Sequence, residues 1–230
     1  DTELTIPTGE SVSERQTLCG GRAVYEACVK LRQDLDSRPW QPGEERRAEY
    51  YYACDPCFAI GDFEGAKKRG AKYRNFPAYA YATQAAIVEV DRETGEVRLL
   101  KVIAAHDVGR AINPHIIEGQ MHGSCSMGQG YALTEGYPTE NGYPVKTLYR
   151  QLGLPRAEDT PDYEIILIED PEPQGPFGAK GISEVATVPV TPAILNAVSR
   201  AIGVRINKVP ASPEVVLEAI RTGKCDVPTM

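Results

Sequence analysis

The C-terminal part of the chain has the clearest periodicity of apolar and polar positions. Apolar residues between positions 194 and 202 recur at the spacing of one helical face, which predicts an amphipathic helix. Thr191-Pro192 supplies an N-cap and a proline for the first helical position, and Gly203 supplies the end of the helix. The following "VRINKV" predicts a short strand.

The N-terminal part of the chain is less regular. The apolar positions Val24, Cys28, Leu31 and Leu35 fit one face of a helix that begins near Ala23. Residues 37–78 lack periodicity and contain several prolines, a charged run and many tyrosines, which predicts loops with an extended segment. Because so long an irregular region is uncommon inside a compact domain, we expect it to pack against other chains.

The middle of the chain predicts a hairpin between two longer elements. Residues 85–90 are small and β-branched, "DRETGE" is a turn sequence and "VRLLKVIAA" predicts the returning strand. Residues 116–133 have helical spacing, residues 164–168 predict another strand, and Ser212-Pro213 begins a final helix. The chain is therefore expected to be α+β, with mixed or antiparallel sheets and packed helices. We treat residues 1–230 as one lobe, with sub-lobes near 1–78 and 79–230.

Composition narrows the class of protein. A chain of 230 residues that is 42% hydrophobic can bury a sizeable core. Its net charge of −7 argues against a nucleic-acid partner, and we find neither an apolar run of membrane-spanning length nor a signal peptide. Six cysteines are too sparse for a secreted disulfide framework, and the CxxC pair Cys54 and Cys57 lacks a second ligand pair. We predict a cytoplasmic protein with no membrane partner, in which this pair is incidental.

Three stretches could carry chemistry. In "EGQMHGSCSMGQGYALTE" the glycines either allow close helix packing through Gly119 and Gly123 or admit a bulky polar ligand, to which Gln120 offers both a donor and an acceptor. In "AHDVGRAINP" a turn capped by Asp107 is favoured over a metal site, because the histidines lack metal-ligand spacing. In "GPFGAKGISE" three glycines precede Glu184, which is either a solvated loop residue or a general base beside a polar cofactor.

These stretches together resemble a known family. "DVGRAINP", "GQMHGSCSMGQGYALTE", "PQGPFGAKGISE" and "TPAILNAVSRAIGVRINKVPASPEVVLEAI" occur in this order, as they do in the molybdenum hydroxylases, the family of xanthine dehydrogenase and aldehyde oxidoreductase. "RAVYEAC" near the start and the hairpin "VDRETGEV" extend the resemblance over nearly the whole chain. The chain is similar to the C-terminal part of the molybdenum-binding subunit, and in its final stretch to bacterial aldehyde oxidoreductases.

The resemblance implies a cofactor and a base. The family binds a molybdopterin, often a dinucleotide, whose molybdenum carries oxo, sulfido and hydroxo ligands and is held through the pterin dithiolene rather than by side chains. Glu184 would be the general base that deprotonates the hydroxo ligand before it attacks an electron-poor carbon. The implied cofactor contacts are Gln120, Ser13, Glu14, Arg15 and Gly181.

The resemblance also implies an activity and partners. The activity is hydroxylation of an aldehyde or an N-heteroaromatic carbon in a small molecule, with water as the oxygen source. The N-terminal part of the molybdenum subunit, a [2Fe-2S] centre and FAD are expected on other domains or subunits of an oligomeric enzyme. The alternative is a non-catalytic scaffold of the same fold that assembles with a molybdenum enzyme.

The chain departs from the family pattern at two positions. Ser183 stands before the glutamate, where the family usually has glycine, and a left-handed backbone there would be strained. Glu14 stands where the family commonly has a small residue.

Overall fold

The computed structural model of the protein describes residue 3 and residues 10–224. A 3-10 turn (Val12–Glu14) and a π-helical turn (Gln16–Gly20) precede the first α-helix. The α-helices are α1 (Gly21–Ser37), α2 (Phe63–Lys68), α3 (Pro114–Leu133), α4 (Val190–Ile202) and α5 (Pro213–Thr222). The strands are β1 (Ala82–Val90), β2 (Val97–Asp107), β3 (Thr139–Glu140), β4 (Tyr143–Pro144) and β5 (Asp162–Ile168). The α+β prediction is confirmed.

The chain divides into two compact units. The first comprises Asp1–Ala80, Asp107–Ile112 and Ile168–Gly181, and the second comprises Tyr81–His106, Asn113–Leu167 and Ile182–Met230. The chain therefore passes between the units several times, and one passage lies between Gly181 and Ile182.

A small sheet and two helices form the core of the second unit. The predicted hairpin is confirmed: β1 and β2 pair antiparallel, with β2 between β1 and β5. Val102 and Ala104 of β2 and Ile194 and Val198 of α4 are fully buried, so α4 lies along the inner face of the sheet. Helix α3 packs against α4 at Gly128, where an added β-carbon would overlap the side chain of Val190.

Two local predictions in the C-terminal part are wrong. Helix α4 begins at Val190, so Thr191 is not the N-cap; its hydroxyl instead donates to the carbonyl of Gly128 at 2.9 Å and ties α4 to α3. "VRINKV" forms no strand, because the backbone N–H of Ile206 donates to Ser199 Oγ at 2.8 Å rather than to a neighbouring strand. The final helix does begin after Ser212, as predicted.

In the first unit, the predicted helix at the N-terminal end is present as α1, but its apolar face is not covered. Val24 is 63% exposed, and no residue of α1 is buried by the part of the chain that the structure describes. The helix is held instead at its start, where Arg22 donates to the carbonyls of Pro173 and Gly175 and Tyr25 meets Phe177 edge to face.

Buried charge organises the irregular region that follows α1. The guanidinium of Arg46 donates to the carbonyls of Arg38 and Pro39 at 2.6 and 3.0 Å. It also pairs with Asp34 and Glu44, and the hydrogen bond to Glu44 lowers the pKa of that carboxyl to about 2. Helix α2, which the sequence analysis missed, begins where Asp62 accepts from the N–H of Gly65.

One helical stretch, Glu184–Ile202, is long and apolar enough to cross a membrane by length and composition alone. The sequence analysis did not single out such a run. Within it, α4 buries Val190, Ile194 and Val198 in contact with α3 and β1. A core helix of this kind meets the same criteria.

Candidate cofactor and active site

In the second unit, the backbone on both sides of Glu184 is tied to regular elements. Ser124 Oγ on α3 donates to the carbonyl of Ser183 at 3.3 Å. Gln84 Nε2 on β1 donates to the carbonyl of Ala186 at 3.0 Å. The Glu184 side chain itself is exposed. The 3-10 helix that carries it, Glu184–Thr187, is thus a fixed mount for an accessible carboxylate.

The departure at Ser183 does not strain the backbone. Its φ of −122° lies outside the left-handed region, so the chain reaches Glu184 in a conformation that a serine can adopt.

Gln120 lies on the same helical face as the residues through which α3 meets this 3-10 helix. Ser124 contacts Ser183, and Met127 Sδ accepts from Thr187 Oγ1 at 3.8 Å. Residues four apart on a helix share a face and are separated by about 6 Å along its axis. The exposed side chain of Gln120 therefore lies one turn before the contact with the Glu184 segment.

The glycine-packing interpretation of α3 is wrong for the two glycines to which it was applied. A β-carbon at Gly119 or Gly123 would meet no atom of the described chain within 4 Å. Close helix packing occurs at Gly128 instead, against Val190. The face of α3 that carries Gln120 is consequently open, as a ligand site requires.

In the first unit, a cavity of about 440 Å³ brings together three of the predicted cofactor contacts. Glu14, Arg15 and Gly181 line it, with Lys180 and the loop Asn75–Ala80. Pockets for small-molecule ligands range from about 300 to 1,000 Å³. The side chain of Ser13, the remaining predicted contact in this segment, lies outside what the structure describes.

Gly181 is needed at its position because Glu14 occupies the adjacent space. An added β-carbon at Gly181 would overlap the side chain of Glu14. Glu14 itself has a φ of 63°, in the left-handed region that few non-glycine residues adopt. The second departure from the family pattern is therefore a bulky residue in a constrained conformation, fitted against a glycine.

A buried ion pair holds the "GAKG" run within the first unit. Lys180 Nζ pairs with Asp107 Oδ2, and both side chains are more than nine-tenths buried. Asp107 Oδ1 accepts from the N–H of Gly109 at 3.0 Å, which confirms the predicted capped turn. The N–H of Lys180 donates to the carbonyl of Val108 at 3.1 Å, so side chain and backbone fix the same loop.

The cysteines show little sign of reactivity or of metal ligation. Cys54 and Cys57 line the 440 Å³ cavity, and burial raises the pKa of the Cys57 thiol. Burial raises the pKa of Cys125 to about 11, and a thiol held protonated is a poor nucleophile. Among residue 3 and residues 10–224, no group of three or more His, Cys, Asp or Glu side chains could hold a metal ion.

The residues present fit an organic cofactor that brings its own metal. Arg15 offers a cation for an anionic group, and Gln120 offers a donor and an acceptor for heterocyclic nitrogens or carbonyls. The open glycines beside Gln120 leave room for close approach. A site without a cluster of protein ligands suits a metal that is held through its organic ligand.

The structure distributes the predicted residues between the units and adds two that were missed. Glu14, Arg15 and Gly181 lie in the first unit, and Gln120 and Glu184 lie in the second. The sequence analysis missed Gln84 and His106, whose side chains meet behind the Glu184 segment at 2.8 Å. A signal for Gln84 exists, since it is a polar residue at an inward-facing position of an alternating strand.

Known proteins match this chain in sequence and fold. A sequence profile described as a molybdopterin cofactor-binding domain matches residues 1–161; Gln120 lies inside that range and Glu184 beyond it. One subunit of a probable xanthine dehydrogenase of Bacillus subtilis (strain 168) is 38% identical over 142 residues, covering 62% of this chain and 19% of that protein. An aldehyde oxidoreductase of Megalodesulfovibrio gigas is 31% identical over 237 residues, covering 96% of this chain and 24% of that protein.

The fold comparison agrees. A solved structure of aldehyde oxidoreductase from Desulfovibrio gigas matches 96% of this chain with a TM-score of 0.72 at 27% identity, over 24% of its own length. The chain spans about a fifth to a quarter of the length of these relatives. The resemblance found in its motifs is confirmed: the chain belongs to the molybdopterin cofactor-binding domain family of the xanthine dehydrogenases and aldehyde oxidoreductases.

Proposed function

We propose that this chain is a catalytic part of a molybdenum-binding subunit. The enzyme hydroxylates an aldehyde or an N-heteroaromatic carbon of a small molecule, with water as the oxygen source and Glu184 as the general base. The observation that carries the proposal is the mounting of Glu184: an exposed carboxylate whose flanking carbonyls are hydrogen-bonded to α3 and β1. A solvated loop glutamate needs no such support.

The residues of this chain have distinct roles in the proposed reaction. When bound, the molybdenum cofactor supplies the two-electron oxidation. Glu184 must be ionised and must accept a proton at a carboxylate oxygen. Gln120 hydrogen-bonds the cofactor from the open face of α3, while Arg15, Glu14 and Ser13 contact its pterin or nucleotide part and Gly181 lets the backbone approach.

The remaining parts of the enzyme lie outside this chain. Since the chain spans about a fifth to a quarter of its relatives, the rest of the molybdenum subunit, a [2Fe-2S] centre and FAD belong to other segments or subunits in this proposal. The Bacillus subtilis relative is named as one subunit, and the uncovered apolar face of α1 offers a contact surface. We place the complex in the cytoplasm.

The test is Glu184→Gln in the assembled enzyme. The amide keeps the size and hydrogen-bonding capacity of the side chain but cannot accept the proton, so the single-turnover rate of reduction by substrate should fall about a hundredfold to ten-thousandfold. Molybdenum content should stay at the parent level.

The matched control is Glu135→Gln, which makes the same change just beyond the end of α3 and should leave the rate mostly intact. A Glu184→Gln enzyme that keeps its cofactor and reduces at near the parent rate would refute the assignment. A parent protein that carries no molybdenum in the complete complex would favour the scaffold alternative.

A further inference from the structure

Two buried side chains outside the family motifs meet behind the Glu184 segment. Gln84 Nε2 lies 2.8 Å from His106 Nε2 and also donates to the carbonyl of Ala186 at 3.0 Å. His106 is 1% exposed. All three residues belong to the second unit.

The register of the hairpin brings the two side chains together. Gln84 is opposite Ala104 and Ala82 is opposite His106, so Gln84 and His106 are diagonal neighbours on adjacent strands. Both occupy inward-facing positions of the alternating burial pattern. Diagonal neighbours on one face of an antiparallel pair are within reach of long side chains.

The carbonyl of Ala186 fixes the protonation of this pair. A carbonyl only accepts, so the Gln84 atom that faces it must be the amide nitrogen. The same nitrogen faces His106 Nε2, which must therefore accept the second N–H. His106 is then neutral, with its proton on Nδ1. Burial, which lowers the pKa of His106, favours the same state.

This arrangement is costly for the fold. Gln84 Oε1 and His106 Nδ1 are buried and have no hydrogen-bond partner among the described residues. A buried polar group without a partner costs about 1–3 kcal/mol. Apolar residues at both positions would avoid that cost but could not bond the carbonyl of Ala186.

We propose that Gln84 and His106 are positioning residues for the general base. The rigid hairpin holds His106, His106 orients the amide of Gln84, and Gln84 holds the backbone two residues after Glu184. The catalytic part of this inference rests on the proposed function of Glu184. A displacement of about 1 Å at a catalytic group can cost about a hundredfold in rate, so loss of the anchor should slow the chemical step without removing it.

The first test replaces Gln84 in the assembled enzyme. Gln84→Met keeps the length of the side chain and removes both donors, and we expect the single-turnover rate of reduction to fall about tenfold to a hundredfold at unchanged molybdenum content. Gln129→Met is the matched control: Gln129 is also a buried glutamine of this unit and also donates to a carbonyl, that of Asp159 at 2.8 Å. A fall of similar size in Gln129→Met would overturn the proposal.

The second test separates positioning from packing at His106. His106→Gln keeps an acceptor for the Gln84 amide, whereas His106→Leu fills the space with apolar atoms. We expect the glutamine variant to keep the rate within about threefold and the leucine variant to be as slow as Gln84→Met. A packing role predicts the reverse order, and that order would refute the positioning role even if Gln84→Met does not fold.

Hydrogen exchange distinguishes failure of this inference from failure of the proposed function. Backbone amides of residues 185–188 should exchange faster in Gln84→Met and His106→Leu than in the parent, and at the parent rate in Gln129→Met. If Glu184→Gln reduces normally while these amides still loosen, the base assignment fails and the anchor stands. If the amides do not loosen, the anchor itself is wrong.

Discussion

The glycines of α3 allow a quantitative test, because only one of them meets another helix. At Gly128 an added β-carbon would overlap Cβ and Cγ1 of Val190, whereas at Gly119 it would meet no described atom within 4 Å. Replacing a helix-interior glycine with alanine stabilises the helix by about 1 kcal/mol. Overpacking a buried contact costs about 1–3 kcal/mol. We expect Gly119→Ala to stabilise α3 by about 1 kcal/mol, and Gly128→Ala to change its stability by between about zero and a loss of 2 kcal/mol.

The measurement is native-state hydrogen exchange of the α3 amides, which reports the free energy of local opening. It should be made on the cofactor-free form of the full-length protein, so that a ligand on the open face does not contribute. The Gly128→Ala/Val190→Ala pair restores space for the methyl group. Its effect should therefore be smaller than the sum of the two single effects, by about 1–3 kcal/mol.

Two outcomes would refute the reasoning. Equal shifts in Gly119→Ala and Gly128→Ala would mean that Val190 does not limit the space at Gly128. Additive effects in the double variant would mean the same. If the reasoning holds, the loaded enzyme gives a further contrast: Gly119→Ala should lower molybdenum content despite the stabler helix, because its methyl group narrows the face that carries Gln120.

Two predictions concern groups elsewhere in the site. Burial lowers the pKa of His106 from its ordinary 6.5, so below pH 6.5 the unfolded segment binds the proton more readily and protection of residues 185–188 should decrease as pH falls; His106→Gln should lack this slope, and a parent with no slope would contradict the neutral buried imidazole. Cys57→Ser should leave zinc and iron content unchanged, because no described cluster completes a metal site around Cys54 and Cys57; stoichiometric metal that disappears in the variant would contradict this.

Long elements with one buried face could be predicted from the sequence. Helices α3 and α4 and the β1–β2 hairpin each repeat a local pattern often enough that the period decides the element. The strand expected at "VRINKV" could not be decided in this way, because a strand requires a pairing partner that the local pattern does not show. Ile206 is buried, as a strand residue would be, yet its N–H bonds the hydroxyl of Ser199.

Amphipathicity likewise predicted α1 but not what covers it. Val24 and Cys28 form part of a helical stripe, and both are exposed in the described structure. The apolar stripe records that a surface is to be buried. It does not say whether the partner is in the same chain.

The motifs identify the residues that face the cofactor, but other residues set the position of the carboxylate. The segment that carries Glu184 leaves the first unit after Gly181 and enters the second at Ile182. Before the crossing it is fixed by the Lys180–Asp107 ion pair, and after it by Gln84 at the carbonyl of Ala186. Lys180 and Asp107 belong to the motifs, whereas Gln84 lies in a strand of ordinary alternating pattern. A sequence search for chemistry therefore finds the base and one of its anchors, while the other becomes visible only when the hairpin register places Gln84 beside His106.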